Sequence, residues 1–218
     1  MALDPAAAEL FIRRQTLIAS PPIVPEISLY LASEITPIWQ ATEAMLAEAG
    51  VPPPFWAFAW AGGQGLARHI LDHPECVAGK RVLDFGSGSG LCAIAAALAG
   101  AAHIRAAEID PIACAAIGIN AGLNGVCLEI TAADVIGTDP AAELILAGDM
   151  CYEKPLATRL LAWLRAAVGN GAEVLLGDPG RNYSPADGVE EITRYLVPTS
   201  LELEDRMERS AVVWRLLP

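Results

Sequence analysis

"VLDFGSGSGLC", residues 82–92, decides how this chain folds. "RVLDF", Arg81 to Phe85, is a run of strand length with a largely apolar core and Asp84 near its end. Gly86, Gly88 and Gly90 follow at alternate positions, and Leu91 opens a helical stretch. Glycine lets the backbone turn sharply and lets a ligand approach the amides at a helix N-terminus. Strand, glycine loop and helix in that order read as a ligand-binding turn, with a purely structural glycine turn as the alternative. A dinucleotide site would carry G-x-G-x-x-G/A. Here the sixth position is Leu91, and Asp84 stands two residues before the first glycine.

Outward from that turn, "HIRAAE" 103–108, "CLEIT" 127–131, "ELILAG" 143–148 and "AEVLLG" 172–177 read as further strands. Helical stretches Leu91–Ala99, Pro111–Leu123 and Pro155–Val168 lie between most of them. This alternation predicts an α/β fold, a Rossmann-like doubly wound and mostly parallel sheet with helices on both faces. The tail, "TSLELEDRMERSAVVWRLLP" 199–218, reads as two strands joined by a charged turn, an antiparallel hairpin closing the sheet. Residues 1–60 read as an N-terminal helical extension that packs on the core, a domain expected over 61–218. In the extension Asp4-Pro5 forms an N-cap and first turn, prolines interrupt, and a second helix runs from Pro37 to Ala49.

A length of 218 residues suits one α/β domain with a small appendage. Hydrophobic residues make up 54%, yet no stretch approaches the ~18–20 uninterrupted apolar residues of a membrane span. The first residues carry Asp4 and Glu9 and no basic block before an apolar run, which is unlike a signal peptide and predicts the cytoplasm. A net charge of −12 repels phosphate backbones, so it speaks against nucleic acid and for a basic protein or cationic group as partner. Cys76, Cys92, Cys114, Cys127 and Cys151 are scattered without a C-x-x-C pair, so free thiols are expected. His69 and His73 have metal-ligand spacing but lack an evident third ligand, so no metal site is expected.

Glu108 ends the second strand, where a carboxylate can accept both hydroxyls of a ribose; an acid favoured by the helix dipole is the alternative. Asp110, just before Pro111, fits that helix role better. Asp134 falls in the loop after the third strand, as a ligand contact or a solvated acid. "AGDMCYEKP" 147–155 sets Asp149 and Tyr152 where the fourth strand opens into a loop, as functional groups or as a cap and a packing residue. "GDPGRNYSP" 177–185 is a turn after the fifth strand. Trp56 and Trp60 have the spacing of core aromatics, the preferred reading for Trp56.

D-x-G-x-G-x-G, Asp84 to Gly90, is the pattern of class I S-adenosylmethionine-dependent methyltransferases, which the chain resembles over about residues 55–218. It is more closely similar to the protein-lysine methyltransferases of the electron transfer flavoprotein β subunit, also labelled nicotinamide-methylase-like. "PPFWAFAWAGGQGLARHIL" 53–71, "LDFGSGSGL" 83–91, "GDMCYE" 148–153 and "GDPGR" 177–181 carry that likeness. The resemblance implies a seven-stranded sheet with S-adenosylmethionine over the strand carboxyl ends, S-adenosylhomocysteine as product, and no metal. It places Trp60 and Gln64 against the donor, and Asp84, Gly86, Ser87, Gly88 and Gly90 in the loop that holds it. Glu108 and Ile109 follow at the second strand, Asp134 and the Val135 amide at the adenine, and Asp149 at both donor and acceptor.

D-x-x-Y after the fourth strand is similar to the motif of that lysine-methylating group. Relatives acting on nucleobases or glutamine tend to show N/D-P-P-Y/F/W, whereas Met150 and Cys151 stand in for the prolines here. Asp149 and Tyr152 would then hold a lysine ammonium, orient it and help its proton leave. Arg181 would orient an acidic group of the partner or pair internally. The implied function is methylation of a lysine on a partner protein, the electron transfer flavoprotein β subunit. A small-molecule amine N-methyltransferase and a non-catalytic donor-binding module are the alternatives.

Overall fold

Side chains alternate along the central strands, and that alternation builds the two halves of the core. The computed structural model describes residues 4–33, 36, 38, 53–200 and 205–218. Helix α1 (Pro5–Gln15) and a two-stranded antiparallel sheet, β1 (Leu17–Ala19) with β2 (Leu29–Leu31), precede helix α2 (Ala61–Asp72). Then come β3 (Arg81–Phe85), α3 (Leu91–Leu98), β4 (His103–Glu108), α4 (Pro111–Leu123) and β5 (Glu129–Ala132). The chain finishes with β6 (Leu144–Gly148), α5 (Lys154–Gly169), β7 (Glu173–Asp178), β8 (Val189–Pro198) and β9 (Glu208–Leu216).

The main sheet has seven strands in the order β5-β4-β3-β6-β7-β9-β8. It is parallel from β5 to β7 and antiparallel at the β7–β9 and β9–β8 pairings. The chain winds outward from β3 through β4 to β5, then crosses back to β6 on the other side of β3. A crevice opens beyond the strand carboxyl ends at such a reversal. Val82, Leu144, Leu146 and Leu175 face one way, onto Leu66 and Ile70 of α2 and Ile94 of α3. Leu83, Phe85, Ile145, Val174 and Leu176 face the other way, onto Leu160, Trp163 and Leu164 of α5. The period of two is the strand's own. Truncating a fully buried leucine such as Leu146 to alanine costs about 2–5 kcal/mol.

Two contacts aim these elements at the crevice. α2 opens with Gly62-Gly63, which lie against Gly177 and Gly148 at the ends of β7 and β6. A Cβ on Gly177 would stand 2.1 Å from the Gly62 carbonyl oxygen, and one on Gly148 would stand 2.9 Å from the Gly63 Cα. Backbone therefore packs directly on backbone, and the N-terminus of α2 reaches the strand ends. On α4, fully buried Asn120 accepts from the Tyr30 amide at 2.8 Å and donates to the Ser89 carbonyl at 2.8 Å. Asn124 repeats the device on Ser28, accepting from its amide at 3.0 Å and donating to its carbonyl at 2.7 Å. The extension is thereby tied to the glycine loop, and Val24, Ile27 and Leu29 share the core under α2 and α3.

Two expectations change, and a third falls outside the described residues. The hairpin's first strand is Val189–Pro198, upstream of the expected tail; Thr199 and Ser200 are outside any strand. The extension contains β1 and β2 as well as helix. The helix expected over Pro37–Ala49 lies, apart from Ile38, outside the described residues. Asp4 occupies the N-cap of α1 without a side-chain capping bond, whereas Asp110 caps α4 by accepting from the Ile112 amide at 2.8 Å.

Candidate active site

A cleft of about 450 Å³ lies over the carboxyl ends of β3, β4 and β6. At one end, Gly86, Gly88 and Gly90 all take left-handed φ angles, 63°, 54° and 86°, which coil the loop beneath the cleft and start α3. A Cβ on Gly86 would stand 2.4 Å from the Met150 Sδ, so this glycine admits the β6 loop. Glu108 reaches over the loop, accepting from the Gly88 amide at 3.0 Å through Oε2. Its Oε1 accepts from the amides of Ile109 and Asp110 at 2.7 and 3.1 Å. Asp84 points away from the cleft, into the loop. Its Oδ2 accepts from the Ser87 hydroxyl at 2.6 Å and the Ala93 amide at 3.1 Å. Burial pushes its carboxyl up to about 7, against the pull of the Ser87 bond.

At the other end, Asp149 follows β6 with a left-handed φ of 59°, unusual outside glycine. Its backbone amide donates to the Gly177 carbonyl at 2.8 Å, which fixes that turn. Oδ2 accepts from the Gly63 amide at 2.7 Å, and Oδ1 from Arg181 Nε and Nη2 at 3.1 and 2.7 Å. Burial raises its carboxyl to about 6, with the Arg181 charge and bonds pulling down. Arg181 also lies 5.4 Å from the Trp60 ring centroid. Tyr152 is half-exposed and packs on Phe55 with ring centroids 5.7 Å apart; burial, then Glu153 and Glu108, raise its phenol. On the outer wall Asp134 pairs with Arg159 at 2.7 Å, and Ile109 is 72% exposed, a bare apolar surface beside the glycine loop.

The cleft thus brings together Trp60, Gly86, Gly88, Glu108, Ile109, Asp134, Asp149, Tyr152 and Arg181. Gln64, Asp84, Ser87, Gly90 and Val135 do not line it. Gln64 is buried, donating to the Ala59 carbonyl at 2.7 Å. Asp84 shares the face of Val82, so strand parity sends it toward α3; with Ser87 and Gly90 it shapes the loop from beneath. Val135 packs into the core under α5. Trp56 is a core aromatic, 1% exposed and packed on α4, that also borders the cleft. Sequence reasoning missed Arg159, Met150 and Phe55 on the walls. Their signal was position only, in or beside segments already singled out. Among the described residues, no cluster of three or more His, Cys, Asp or Glu could hold a metal ion, and no helix is long and apolar enough to cross a membrane. The five cysteines are free thiols.

The chain is similar to several known proteins. Residues 69–149 match the family of ribosomal protein L11 methyltransferase (PrmA). The electron transfer flavoprotein beta subunit lysine methyltransferase of Danio rerio is 37% identical over 91% of this chain and 79% of its own length. That of Xenopus laevis is 36% identical over 95% of this chain and 86% of its own. The crystal structure of magnesium protoporphyrin IX methyltransferase from Synechocystis PCC 6803 with bound SAM superposes with a TM-score of 0.53, at 15% identity over 72% of this chain and 80% of that one. That likeness is one of fold. The sheet order, the coiled glycine loop and the relatives together define a class I methyltransferase dependent on S-adenosylmethionine. Within that class, the chain belongs to the electron transfer flavoprotein beta subunit lysine methyltransferase family.

Proposed function

We propose that this chain transfers methyl groups from S-adenosylmethionine to a lysine side chain of a folded partner, the electron transfer flavoprotein β subunit. The observation that carries the reading is the continuity of one cleft, from the glycine loop and Glu108 to Asp149, Arg181 and Tyr152. The residues fit the donor. Gly88 leaves open space, since a Cβ there would meet nothing closer than 3.9 Å. Glu108 offers two carboxylate oxygens for a ribose diol, Ile109 an apolar face, and Asp134 an acceptor for an exocyclic amine. Once bound, the donor supplies an activated methyl group on a sulfonium.

The protein's part is then positioning and exclusion of water. Trp60, Phe55 and Tyr152 form an aromatic wall around the acceptor end, suited to the aliphatic stem of a lysine. Tyr152 can orient the amine through its hydroxyl, while Asp149, fixed by Gly63 and Arg181, sets the floor. The acidic surface favours a basic patch on the partner, and its pull weakens with salt. No metal takes part in this reading, and nucleic acid is not the substrate. The free thiols fit a reducing compartment, and we propose the cytoplasm.

The test is to incubate the purified chain with methyl-labelled donor and purified electron transfer flavoprotein, and to map labelled residues by mass spectrometry. Label on β-subunit lysines supports the reading. Methylation of free small amines with none on the protein overturns it.

A further inference from the structure

Arg181 occupies the acceptor side of the cleft in a fixed geometry. Nε and Nη2 both donate to Asp149 Oδ1, at 3.1 and 2.7 Å, and the Arg181 amide donates to Asp178 Oδ1 at 2.7 Å. The guanidinium lies over Trp60, and the paired side chains are only 18% and 9% exposed. Pulling one partner from a buried pair leaves the other as an uncompensated charge, which opposes the exchange. A lysine ammonium is a compact point charge, and it cannot return both the two-pronged contact and the planar stacking of a guanidinium. An incoming lysine therefore leaves Arg181 in place. It meets an Asp149 whose charge is already cancelled, with a fixed cation beside it.

Resting on the lysine-methylating reading above, we infer that Arg181 is a positioning residue that makes the cleft select the unprotonated lysine amine. It withholds the Asp149 carboxylate from the ammonium and sets its own positive charge beside the acceptor. The chemistry needs that state. The amine lone pair forms the new N–C bond while the S–C bond breaks, its electron pair going to sulfur. An ammonium has no such pair, so its proton must first pass to solvent. The product carries the positive charge as a methylammonium, and the sulfonium becomes a neutral thioether.

Of the other groups facing this point, Asp178 is the one whose charge acts on Asp149, raising its carboxyl. Asp178, on β7, is held toward its own loop by the Gly180 amide at 2.7 Å and the Ser184 hydroxyl at 2.6 Å, and it does not line the cleft. The Cys92 and Cys151 thiols behind Asp149 are pushed up by burial and stay neutral. Tyr152, with Glu153 and Glu108 acting on it, stands on the aromatic wall, and Arg159 lies along the cleft on α5. α2 presents the Gly63 amide, and Trp60 stands just before it, neither charged.

The experiment is steady-state methylation of purified electron transfer flavoprotein by the parent, Arg181→Met and Arg181→Lys. It covers about pH 6 to about pH 10, below the ordinary lysine pKa of about 10.4, with calorimetric donor affinity and thermal unfolding alongside. Removing the charge lets the Asp149 carboxyl rise further and, wherever it is ionised, frees it to hold an ammonium. Arg181→Met should therefore leave KM unchanged or lower, cut kcat about tenfold near neutrality, and move the acidic limb of kcat about one unit higher. Arg181→Lys should keep the limb of the parent. Should the methionine variant fail to fold, Arg181→Gln, which keeps one donor for Asp149 without the charge, carries the same expectation. A neutral variant faster than the parent would mean that Arg181 blocks the lysine. A loss through KM alone with an unmoved limb would make it a structural residue. Either result overturns the inference and leaves the lysine-methylating reading standing. A parent that modifies no lysine at any pH overturns both.

Discussion

Gly177→Ala tests whether the glycine seam positions the site. An added Cβ would stand 2.1 Å from the Gly62 carbonyl oxygen and 2.8 Å from the Leu66 Cβ, whereas ordinary contact begins near 3.4 Å. The shortfall against the carbonyl is about 1.3 Å, and it falls on backbone at the start of α2 with no flexible end to swing aside. Overpacking of this kind costs about 1–3 kcal/mol, and the backbone clash puts this case at the upper end. For a domain of this size, about 2–4 °C per kcal/mol makes the fall in Tm roughly 6–12 °C. The same movement carries the Gly63 amide off Asp149 Oδ2, now 2.7 Å away. Displacement of a positioned group by ~1 Å costs about 10²-fold in rate. Differential scanning fluorimetry reads the first effect, and single-turnover methylation under saturating donor reads the second. A variant with the parent's Tm and turnover would refute the claim that backbone packing at this seam holds Asp149.

Because Asp149 anchors both the Gly63 amide and the Arg181 guanidinium, Asp149→Asn should loosen their placement beside the acceptor and cut turnover ~10²-fold, about 2.7 kcal/mol at the barrier, with donor affinity better preserved; single-turnover rates equal to the parent would deny Asp149 that anchoring role. Glu108→Ala should weaken donor binding by about 1.5–3 kcal/mol in calorimetry. Because that carboxylate also accepts from three amides, the free protein should lose stability as well. Asn120→Ala leaves the Tyr30 amide and the Ser89 carbonyl unpaired in the core, and urea unfolding should show a loss of about 1–3 kcal/mol. For Asp84, the folded pKa of about 7 lies above the ordinary 3.8, so the folded state binds the extra proton. Its stabilising contribution is full below 3.8 and is lost as pH rises through about 7. Asp84→Asn should flatten the parent's decline in unfolding free energy across that window, and an unchanged slope would deny the carboxyl its place there.

The sheet was legible where periodicity and caps agree. Arg81–Phe85, His103–Glu108 and Pro111–Leu123 begin and end where the apolar runs and the Asp110-Pro111 cap place them. β8 was missed because an edge strand reads as polar: Glu190, Glu191 and Arg194 interrupt its apolar residues. β1 and β2, three residues each, are too short to show a period. At the site, position along the chain pointed to Glu108, Asp149 and Tyr152, because strand ends are where this topology opens. Direction was not legible for Asp84, since only the placement of α3 reveals which way its side chain turns. The Asp149–Arg181 pair joins residues 32 positions apart, and its closeness depends on β6 and β7 lying side by side.

The seating of β9 between β7 and β8 bears on how the chain matures during synthesis. β8 leaves the ribosome first, yet among the described residues its sheet partner is β9, with Pro198 opposite Glu208 and Val189 opposite Leu216. Until residues 208–216 emerge, β8 waits without a neighbour and β7 offers an open edge. The glycine loop, Glu108 and Asp149 sit on strands completed earlier, so a nascent chain can assemble much of the cleft while its flank is unsealed. An exposed edge of that kind invites pairing with other chains. Translation that stalls short of β9 should therefore yield a species with a part-formed cleft and a strong demand for chaperones.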